Sequence, residues 1–170
     1  SWIGHLKEDA MEAVYEFIAN TADGAFAVDR HQTVVMWNAA ATAITGRRAD
    51  EVLGRKCFTV MRGRDAAGCA ICRLGCPSFE AGERLEPTAA VDMAIPTADG
   101  HERWINVSTI LVPSSNRELS LLVHLFREVT QRHEIDRLAH ELASLVSSVA
   151  MPPSESRPLA ADTHGVVVEL

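Results

Sequence analysis

Three apolar, strand-like segments follow one another in the second half of the chain. They occupy residues 88–96, 103–112 and 119–129, and only short turn-forming stretches at 98–100 and 114–116 separate them. Segments rich in Val, Ile and Leu that are bounded by Gly, Asp, Ser and Asn are typical of β-strands. Tight turns pair each strand with the next in antiparallel orientation. The sequence therefore predicts a three-stranded meander, which limits the fold to classes that contain an antiparallel sheet.

Two shorter strand-like segments precede the meander. AFAVD (25–29) and VVMW (34–37) are separated by a short polar break, which predicts a hairpin. Asn38 is suited to cap a helix over residues 39–45, and Gly46 is suited to end it. The order of two strands, short helices and three strands predicts an α+β fold in which short helices cover one face of an antiparallel sheet.

The two ends of the chain carry helical and linker-like patterns. Residues 1–20 predict an N-terminal flanking helix, because apolar residues recur at the spacing of one helix face; these are Ile3, Leu6, Ala10, Ala13 and Phe17. Residues 131–150 predict a coiled-coil-type signalling helix, whose heptad seam is formed by Ile135, Leu138, Leu142, Leu145 and Val149. We expect this seam to join two copies of the chain as a homodimer, although so short a seam could instead pack on the domain itself. Residues 151–170 are rich in Pro, Ser and Ala and predict a flexible linker to an output domain outside this chain.

Charge and hydropathy argue against two classes of function for this chain. The net charge is −7 and no dense cluster of Lys or Arg occurs, so direct binding to nucleic acid is not expected. No run of about 18 apolar residues and no signal-peptide layout occurs, so we expect a cytoplasmic protein that does not enter the membrane.

Four cysteines lie in a loop at residues 54–84 that lacks clear periodicity. Their spacing is C-x11-C-x2-C-x3-C, and they are Cys57, Cys69, Cys72 and Cys76. In a cytosolic chain such a set indicates metal ligands or redox thiols rather than disulfides. Structural zinc sites more often use two separate C-x2-C pairs, whereas a compact triplet followed by Pro77 partly resembles bacterial ferredoxin motifs. The spacing therefore favours a 4Fe-4S cluster bound by all four cysteines; a zinc site, a dithiol switch and incidental loop thiols are the alternatives.

The charges around the cysteines favour reactive sulfur. Residues 54–84 contain six Lys and Arg against three Asp and Glu, a local charge of 6 − 3 = +3 in a chain of −7. Positive neighbours lower the pKa of a thiol and stabilise the thiolate, which both a metal centre and a redox switch need. We therefore expect lowered thiol pKa values in this loop.

The order of elements and several local strings resemble the PAS family of sensor domains. FAVDRHQTVVMWNAAATAITGRRADEVLGRKC (26–57) is similar to the first half of such a domain, and ADGHERWINVS (98–108) with HLFREVTQR (124–132) is similar to its end. The resemblance implies a PAS-like sensor domain at residues 21–130, in which a five-stranded antiparallel sheet cups a ligand against its helices and flanking helices pair between subunits. The string GRKCFTVMRGRDAAGCAICRLGCP is similar to a cysteine-rich PAS subgroup often joined to LuxR-type helix-turn-helix regulators.

Together these features predict a sensory and regulatory module without catalytic activity. The cysteine site would detect redox state, oxygen or another gas, and a dimeric helix would pass the change to an output domain, which we expect to be transcriptional. A cofactor-free dimerisation module is one alternative. A thiol oxidoreductase using Cys69 and Cys72 is another, although such pairs usually belong to a strand-helix-strand unit that this order of elements lacks.

Two cofactors of PAS relatives are not expected. The light-sensing LOV relatives carry a photoreactive cysteine in an N-C-R-F-L-Q string, whereas here Lys56 precedes Cys57 and FTVM follows it, which disfavours a flavin adduct. Haem-binding relatives need an axial histidine before the third strand, and no histidine lies between His31 and His101, which disfavours haem.

Several aromatic and histidine residues have simpler structural interpretations. Trp37 and Trp104 lie in predicted strands and are expected in the core. His124 within LLVHLF is expected to make a local hydrogen bond in a strand, and His133 and His140 are expected on a solvated helix face.

Overall fold

Five strands form one antiparallel sheet in the computed structural model, which describes residues 12–114 and 118–149. The strands are β1 (Gly24–Asp29), β2 (Val34–Trp37), β3 (Val91–Pro96), β4 (Glu102–Pro113) and β5 (Leu119–Glu128). Their order in the sheet is β2-β1-β5-β4-β3, so the N-terminal hairpin joins the meander through the pairing of β1 with β5. The predicted hairpin, meander and α+β fold class are confirmed.

Six helices accompany the sheet in the described part of the chain. They are α1 (described over residues 12–19), α2 (Ala39–Thr45), α3 (Ala49–Val52), α4 (Cys57–Met61), α5 (Pro77–Glu83) and α6 (Thr130–Val149). Asn38 caps α2 as predicted, because its side-chain oxygen accepts a hydrogen bond from the N–H of Ala41 at 2.8 Å. The same oxygen accepts the N–H of Ala25 in β1 at 2.9 Å. Gly46 ends α2 in the left-handed conformation, with φ of 71°. Sequence periodicity did not predict α4.

The two faces of the sheet bury separate apolar clusters. Even-numbered residues of β5, such as Leu122 and Phe126, face the short helices and form the larger cluster with residues of β3 and β4. Odd-numbered residues, such as Val123, face the opposite side and pack with Ile18 of α1. The alternation of strand side chains therefore places one face of the sheet beneath the cysteine loop and the other beneath α1.

The helix α6 carries a row of apolar side chains that are solvent-exposed. The exposed fractions of four predicted seam residues lie between 51% and 62%; these residues are Ile135, Leu138, Leu142 and Leu145. One compact unit of the chain ends at His133 and a second begins at Glu134, so most of α6 belongs to the second unit. The side chain of Val149, residues 1–11 of the predicted flanking helix and the predicted linker at 151–170 lie outside the described residues.

None of the described helices combines the length and the apolar character that crossing a membrane requires.

Two of the aromatic and histidine predictions are wrong. Trp104 is only partly buried, and its indole ring stacks on the imidazole of His133 with ring centroids 3.9 Å apart and planes inclined by 15°. His133 is therefore held against the sheet and does not lie on a solvated face. The error has a physical reason: the first turn of α6 folds back onto β3 and β4, a contact that strand and helix periodicity cannot predict. Trp37 is buried as predicted, and His140 is exposed as predicted.

Candidate functional site

A small cavity lies between the cysteine loop and the helix-covered face of the sheet. Its volume is about 40 Å³, which gives room for roughly three water molecules. Five of its lining residues carry sulfur, and they are Cys57, Met61, Cys72, Cys76 and Met93. Phe26, Val107 and His124 contribute the wall formed by the sheet. The structure therefore brings three of the four predicted site cysteines to one cavity.

Cys57 occupies the first position of α4 and is held there through the backbone. Its N–H donates a hydrogen bond of 2.9 Å to the carbonyl oxygen of Gln32, in the turn between β1 and β2. The N–H of Val34 donates to the carbonyl oxygen of Arg55 at 2.8 Å, which joins the same loop to β2. Only 9% of Cys57 is exposed, so its thiol belongs to the core as much as to the cavity.

A small hairpin at residues 63–72 separates Cys69 from the other cysteines. Arg64 pairs with Ala94 of β3 through two backbone hydrogen bonds of 2.9 and 2.8 Å, which attaches the hairpin to the edge of the sheet. At its turn, the carboxylate of Asp65 accepts a hydrogen bond from the N–H of Cys69 at 2.8 Å. Cys69 is exposed there and does not line the cavity, whereas Cys72, at the end of the hairpin, does.

Cys76 caps the N-terminus of α5 and faces the side chain of Gln32. Pro77 supplies the first helical residue. Gln32 is almost completely buried, with 1% exposed, and its side-chain amide donates to the carbonyl oxygen of Arg73 at 3.2 Å and towards Sγ of Cys76 at 3.8 Å. Its side-chain oxygen accepts from the N–H of Gly75 at 2.9 Å. One buried amide thus binds the segment that carries Cys76.

Burial dominates the protonation of Cys57 and Cys72. The pKa of Cys57 is raised to about 12, mainly because the thiolate would be desolvated and also because Cys76 and Cys72 lie near it. Burial likewise raises the pKa of Cys72 to about 11. The expectation that positive neighbours lower the thiol pKa values is therefore wrong for these two residues. The reason is that a count of charges along the loop does not include the burial of the sulfur atoms.

Cys72 and Met93 form a close sulfur pair within the cavity wall. Sγ of Cys72 lies 3.8 Å from Sδ of Met93, which β3 presents on the helix-covered face. Gly63 lies against both atoms, because a Cβ at this position would be 3.0 Å from Sγ of Cys72 and would overlap Sδ of Met93. The glycine therefore allows the hairpin backbone to approach the pair closely.

The cysteines as placed do not form a closed set of four ligands. In residues 12–114 and 118–149, no three side chains among His, Cys, Asp and Glu are positioned to hold one metal ion. Cys69 is exposed at the hairpin turn, away from the cavity that the other three cysteines line. The donors that do share the cavity are thiols, thioethers and one imidazole, all of which suit soft or intermediate metal ions. Binding of a four-cysteine cluster would require the 63–72 hairpin to rearrange.

His124 closes the cavity from the sheet side. Its Nδ1 lies 3.1 Å from Oγ1 of Thr109 on the neighbouring strand, so the predicted local hydrogen bond is confirmed. The ring lies against Phe26, with centroids 4.7 Å apart. Burial lowers the pKa of His124 to about 4, because the imidazolium would lose its hydration. At neutral pH the cavity therefore faces an uncharged imidazole.

Sequence reasoning missed the residues that organise the cavity. Gln32 lies in a polar turn with φ of 57°, and nothing in its neighbourhood predicts burial or contact with a loop more than forty residues away. Met93 is an apolar residue of a predicted strand, and its position in the sequence is explained equally well by packing in the core and by a role as a thioether ligand. Only a tertiary structure brings these two side chains to the cysteines.

A second cluster joins the sheet to the first turn of α6. Nε2 of His133 lies 3.0 Å from Oδ2 of Asp92 on β3, and the ring stacks on Trp104 of β4. The N–H of Val129 donates to the carbonyl oxygen of Trp104 at 2.7 Å, and the N–H of Trp104 donates to Oγ1 of Thr130 at 3.0 Å. Asn106 and His133 hold the pKa of Asp92 below its usual value. We name this group of residues the α6 joint.

Comparison with known proteins agrees with this architecture. The family model of the PAS fold matches residues 12–129. No curated protein matches the chain.

Solved structures with the same fold include PAS domains and light-oxygen-voltage (LOV) proteins. An RNA-binding light-oxygen-voltage receptor is 22% identical with a TM-score of 0.59, and the match covers 81% of this chain but 38% of that receptor. The PAS domain of BvgS from Bordetella pertussis is 19% identical with a TM-score of 0.52, covering 79% of this chain and 98% of that domain. A LOV protein of Rhodobacter sphaeroides is 16% identical with a TM-score of 0.59, and the match covers 72% of this chain and 68% of that protein. At these identities the likeness concerns the fold.

Proposed function

This chain belongs to the PAS family, and from that premise we propose that it is the sensory module of a signalling protein whose signal-receiving site is the cavity lined by Cys57, Cys72 and Cys76. The observation that carries the proposal is the shared position of these thiols. Cys57, Cys72 and Cys76 come from α4, the 63–72 hairpin and the start of α5, yet all three line one cavity against the sheet. This convergence places three thiols from separate segments within reach of one signal.

The donor set supports a metal centre at this cavity. Three cysteines, two methionines and a neutral imidazole offer soft ligands in a space too small for a flavin ring system. A 4Fe-4S cluster, which the spacing favours, fits poorly because Cys69 lies outside the cavity, exposed at the hairpin turn. We therefore propose a site centred on Cys57, Cys72 and Cys76, whose thiols would move closer together to share one ion. Cys69 becomes a ligand only if the hairpin rearranges. Zinc at the same three cysteines and a metal-free dithiol switch are the competing chemistries.

The route from the cavity to α6 runs through β3. The 63–72 hairpin is bonded to β3 at Ala94, and β3 also carries Met93 in the cavity wall and Asp92 in the α6 joint. Met93 and Asp92 are neighbours in sequence and point to opposite faces of the sheet. A change in ligation that moves the backbone of β3 at Met93 would thus also move Asp92, and with it the contact to His133.

The exposed apolar row of α6 supports the output step. Row residues Leu138, Leu142 and Leu145 are more than half exposed in a single chain, so a second copy would remove their side chains from water. We propose that two copies of the chain form a homodimer through this row. We further propose that the paired helices pass the signal to an output domain, with a transcriptional regulator as one candidate.

Hydrogen exchange on the full chain tests the relay. Protein prepared without oxygen would be compared before and after its metal is removed by a chelator, with the variant C57S/C72S/C76S as the metal-free reference. We expect faster amide exchange after metal removal in the 63–72 hairpin, in β3 and at residues 129–133. Exchange that changes only between residues 57 and 76 would contradict a relay through β3. Absence of bound metal in anaerobic protein, together with unchanged exchange in the triple variant, would favour a cofactor-free interaction module.

A further inference from the structure

The sulfur pair of Cys72 and Met93 is spaced as two ligands of one metal ion. Metal–sulfur bonds to thiolates are about 2.3 Å long. Two such bonds to sulfur atoms 3.8 Å apart enclose an angle of about 111°, close to a tetrahedral value. The pair can therefore bind one ion without moving either sulfur atom. Among His, Cys, Asp and Glu, no three side chains in the described residues are placed to hold one metal ion, so a further ligand would have to move towards the pair.

We propose that Cys72 and Met93 bind a monovalent copper ion, Cu⁺, in the cavity, with Cys57 and Cys76 as the next available sulfur donors. This inference rests on the proposed function and names the metal and one further ligand. It differs from the sequence-based prediction because Met93 is a ligand and Cys69 is not.

The hardness of the donors favours Cu⁺ over other metals. Thioether sulfur is a soft ligand that selects Cu⁺, whereas Mg²⁺, Ca²⁺ and Mn²⁺ prefer carboxylate, carbonyl or water oxygen. No carboxylate is among the described residues that line the cavity. Zn²⁺ also binds thiolates, but its protein ligands are Cys, His and carboxylates rather than methionine. A cavity that presents Met61 and Met93 with its cysteines is thus better matched to copper.

Charge gives a second argument for a monovalent ion. When Cu⁺ binds, Cys72 loses its thiol proton to solvent, and one thiolate with one Cu⁺ leaves the cavity neutral. A divalent ion on the same pair would leave a net positive charge in a largely apolar cavity, which is costly. With Cys72 as the one thiolate ligand, the pair therefore holds Cu⁺ with less buried charge than a divalent ion.

The position of Gly63 is consistent with a site that needs space for its ligands. Both sulfur atoms of the pair lie against the bare backbone of this residue, and any side chain would displace them. Because Gly63 also accepts backbone hydrogen bonds from Ile71 and Cys72, it holds Cys72 in register with β3. The hairpin thus sets the distance between the thiol and the thioether.

Competition with the Cu⁺ chelator bicinchoninate, on reduced and oxygen-free protein, tests the proposal. We expect one tightly bound Cu⁺ per chain in the wild type, and an affinity at least about tenfold weaker in Met93→Leu. Leu replaces Met with little change in volume, so this variant should fold. Met36→Leu, a buried methionine in the cluster on the other face of the sheet, is the matched control and should bind as the wild type does. Cys69→Ser should also leave binding unchanged.

Equal Cu⁺ affinity in Met93→Leu and the wild type would overturn the assignment. X-ray absorption at the selenium edge of selenomethionine-labelled wild-type protein provides a second measurement: a copper neighbour to selenium supports it, and its absence contradicts it. Iron or zinc bound at Cys57, Cys72 and Cys76, with no preference for copper, would overturn this inference and leave the proposed function standing. No bound metal of any kind would overturn this inference and the proposed metal centre, and would leave the metal-free dithiol switch.

Discussion

The buried side chain of Gln32 lies 3.8 Å from the sulfur of Cys76, and this contact ties the β1–β2 turn to the start of α5. The backbone carbonyl oxygen of Gln32 accepts a hydrogen bond from the N–H of Cys57, and its side-chain oxygen accepts one from the N–H of Gly75. Two of the three cavity cysteines are thus positioned by one residue of the turn. Gln32 is a positioning residue, because it fixes where the thiols lie but is not itself proposed as a metal ligand.

Gln32→Leu should destabilise the fold and release Cys76. Leu fills a similar volume but leaves the N–H of Gly75 and the carbonyl oxygen of Arg73 without their partners, which costs about 1–3 kcal/mol in the free energy of unfolding. Urea unfolding measures this cost, and alkylation followed by mass spectrometry measures the reactivity of Cys76, which should increase. Gln131→Leu, at an exposed position of α6, is the control and should change neither quantity. Unchanged stability in Gln32→Leu would show that these hydrogen bonds contribute little.

The cysteines should differ strongly in reactivity. With pKa values of about 12 and 11, Cys57 and Cys72 carry a thiolate in about one molecule per thousand or fewer at pH 8. Cys69 is exposed and should react first with iodoacetamide in the metal-free protein, and Cys69→Ser should lose this fast phase. The alkylation rates of Cys57 and Cys72 should keep rising as the pH is raised towards 11. Fast alkylation of Cys57 at pH 7 would contradict the burial of its thiol.

The stability of the protein should fall in mild acid because of His124. Its pKa is about 4 in the folded state and near 6.5 in the unfolded chain, so the unfolded state binds the proton first as the pH falls. The neutral form stabilises the fold fully above pH 6.5, and on the order of 3 kcal/mol is lost between pH 6.5 and 4. The difference in unfolding free energy between wild type and His124→Phe should therefore change over this range. For His140→Phe, at an exposed position, the unfolding free energy should change with pH as it does in the wild type. The same pH dependence in His124→Phe as in the wild type would contradict the role given to His124.

The apolar row of α6 should hold two chains together. Leu142→Lys places a charge in the centre of the row, where Leu142 is 62% exposed in a single chain, and should convert a dimer into a monomer. Ser144→Lys introduces the same charge on the opposite side of the helix and should leave the dimer intact. Light scattering after size-exclusion chromatography gives the mass directly. A monomeric wild type, or dimers of equal stability in both variants, would contradict this use of the row.

The sequence predicted the fold better than the site, and particular residues show why. The alternation of apolar residues in 103–112 and 119–129 is a local pattern, and it fixes both strands and their faces. Asn38 and Gly46 act within one helical turn, so their capping roles were also predictable. By contrast, the burial of Gln32 and the pairing of Cys72 with Met93 arise from contacts between segments distant in sequence.

The cysteine spacing illustrates the same limit. It predicted convergence of four thiols, but the 63–72 hairpin turns Cys69 outward through its hydrogen bond with Asp65. Spacing sets how far a chain can reach, whereas the direction of each side chain depends on the backbone conformation of the loop. The raised pKa values of Cys57 and Cys72 were unpredictable for a related reason, since charge counted along the sequence does not include burial.

The metal content of single-cysteine variants made without oxygen tests the central claim most directly. We predict that Cys57→Ser, Cys72→Ser and Cys76→Ser each lose the bound metal, and that Cys69→Ser retains it at the wild-type ratio to protein. Loss of metal in Cys69→Ser to the same extent as in the other three, with iron and sulfide in the wild type, would contradict a three-cysteine site and restore the four-cysteine cluster.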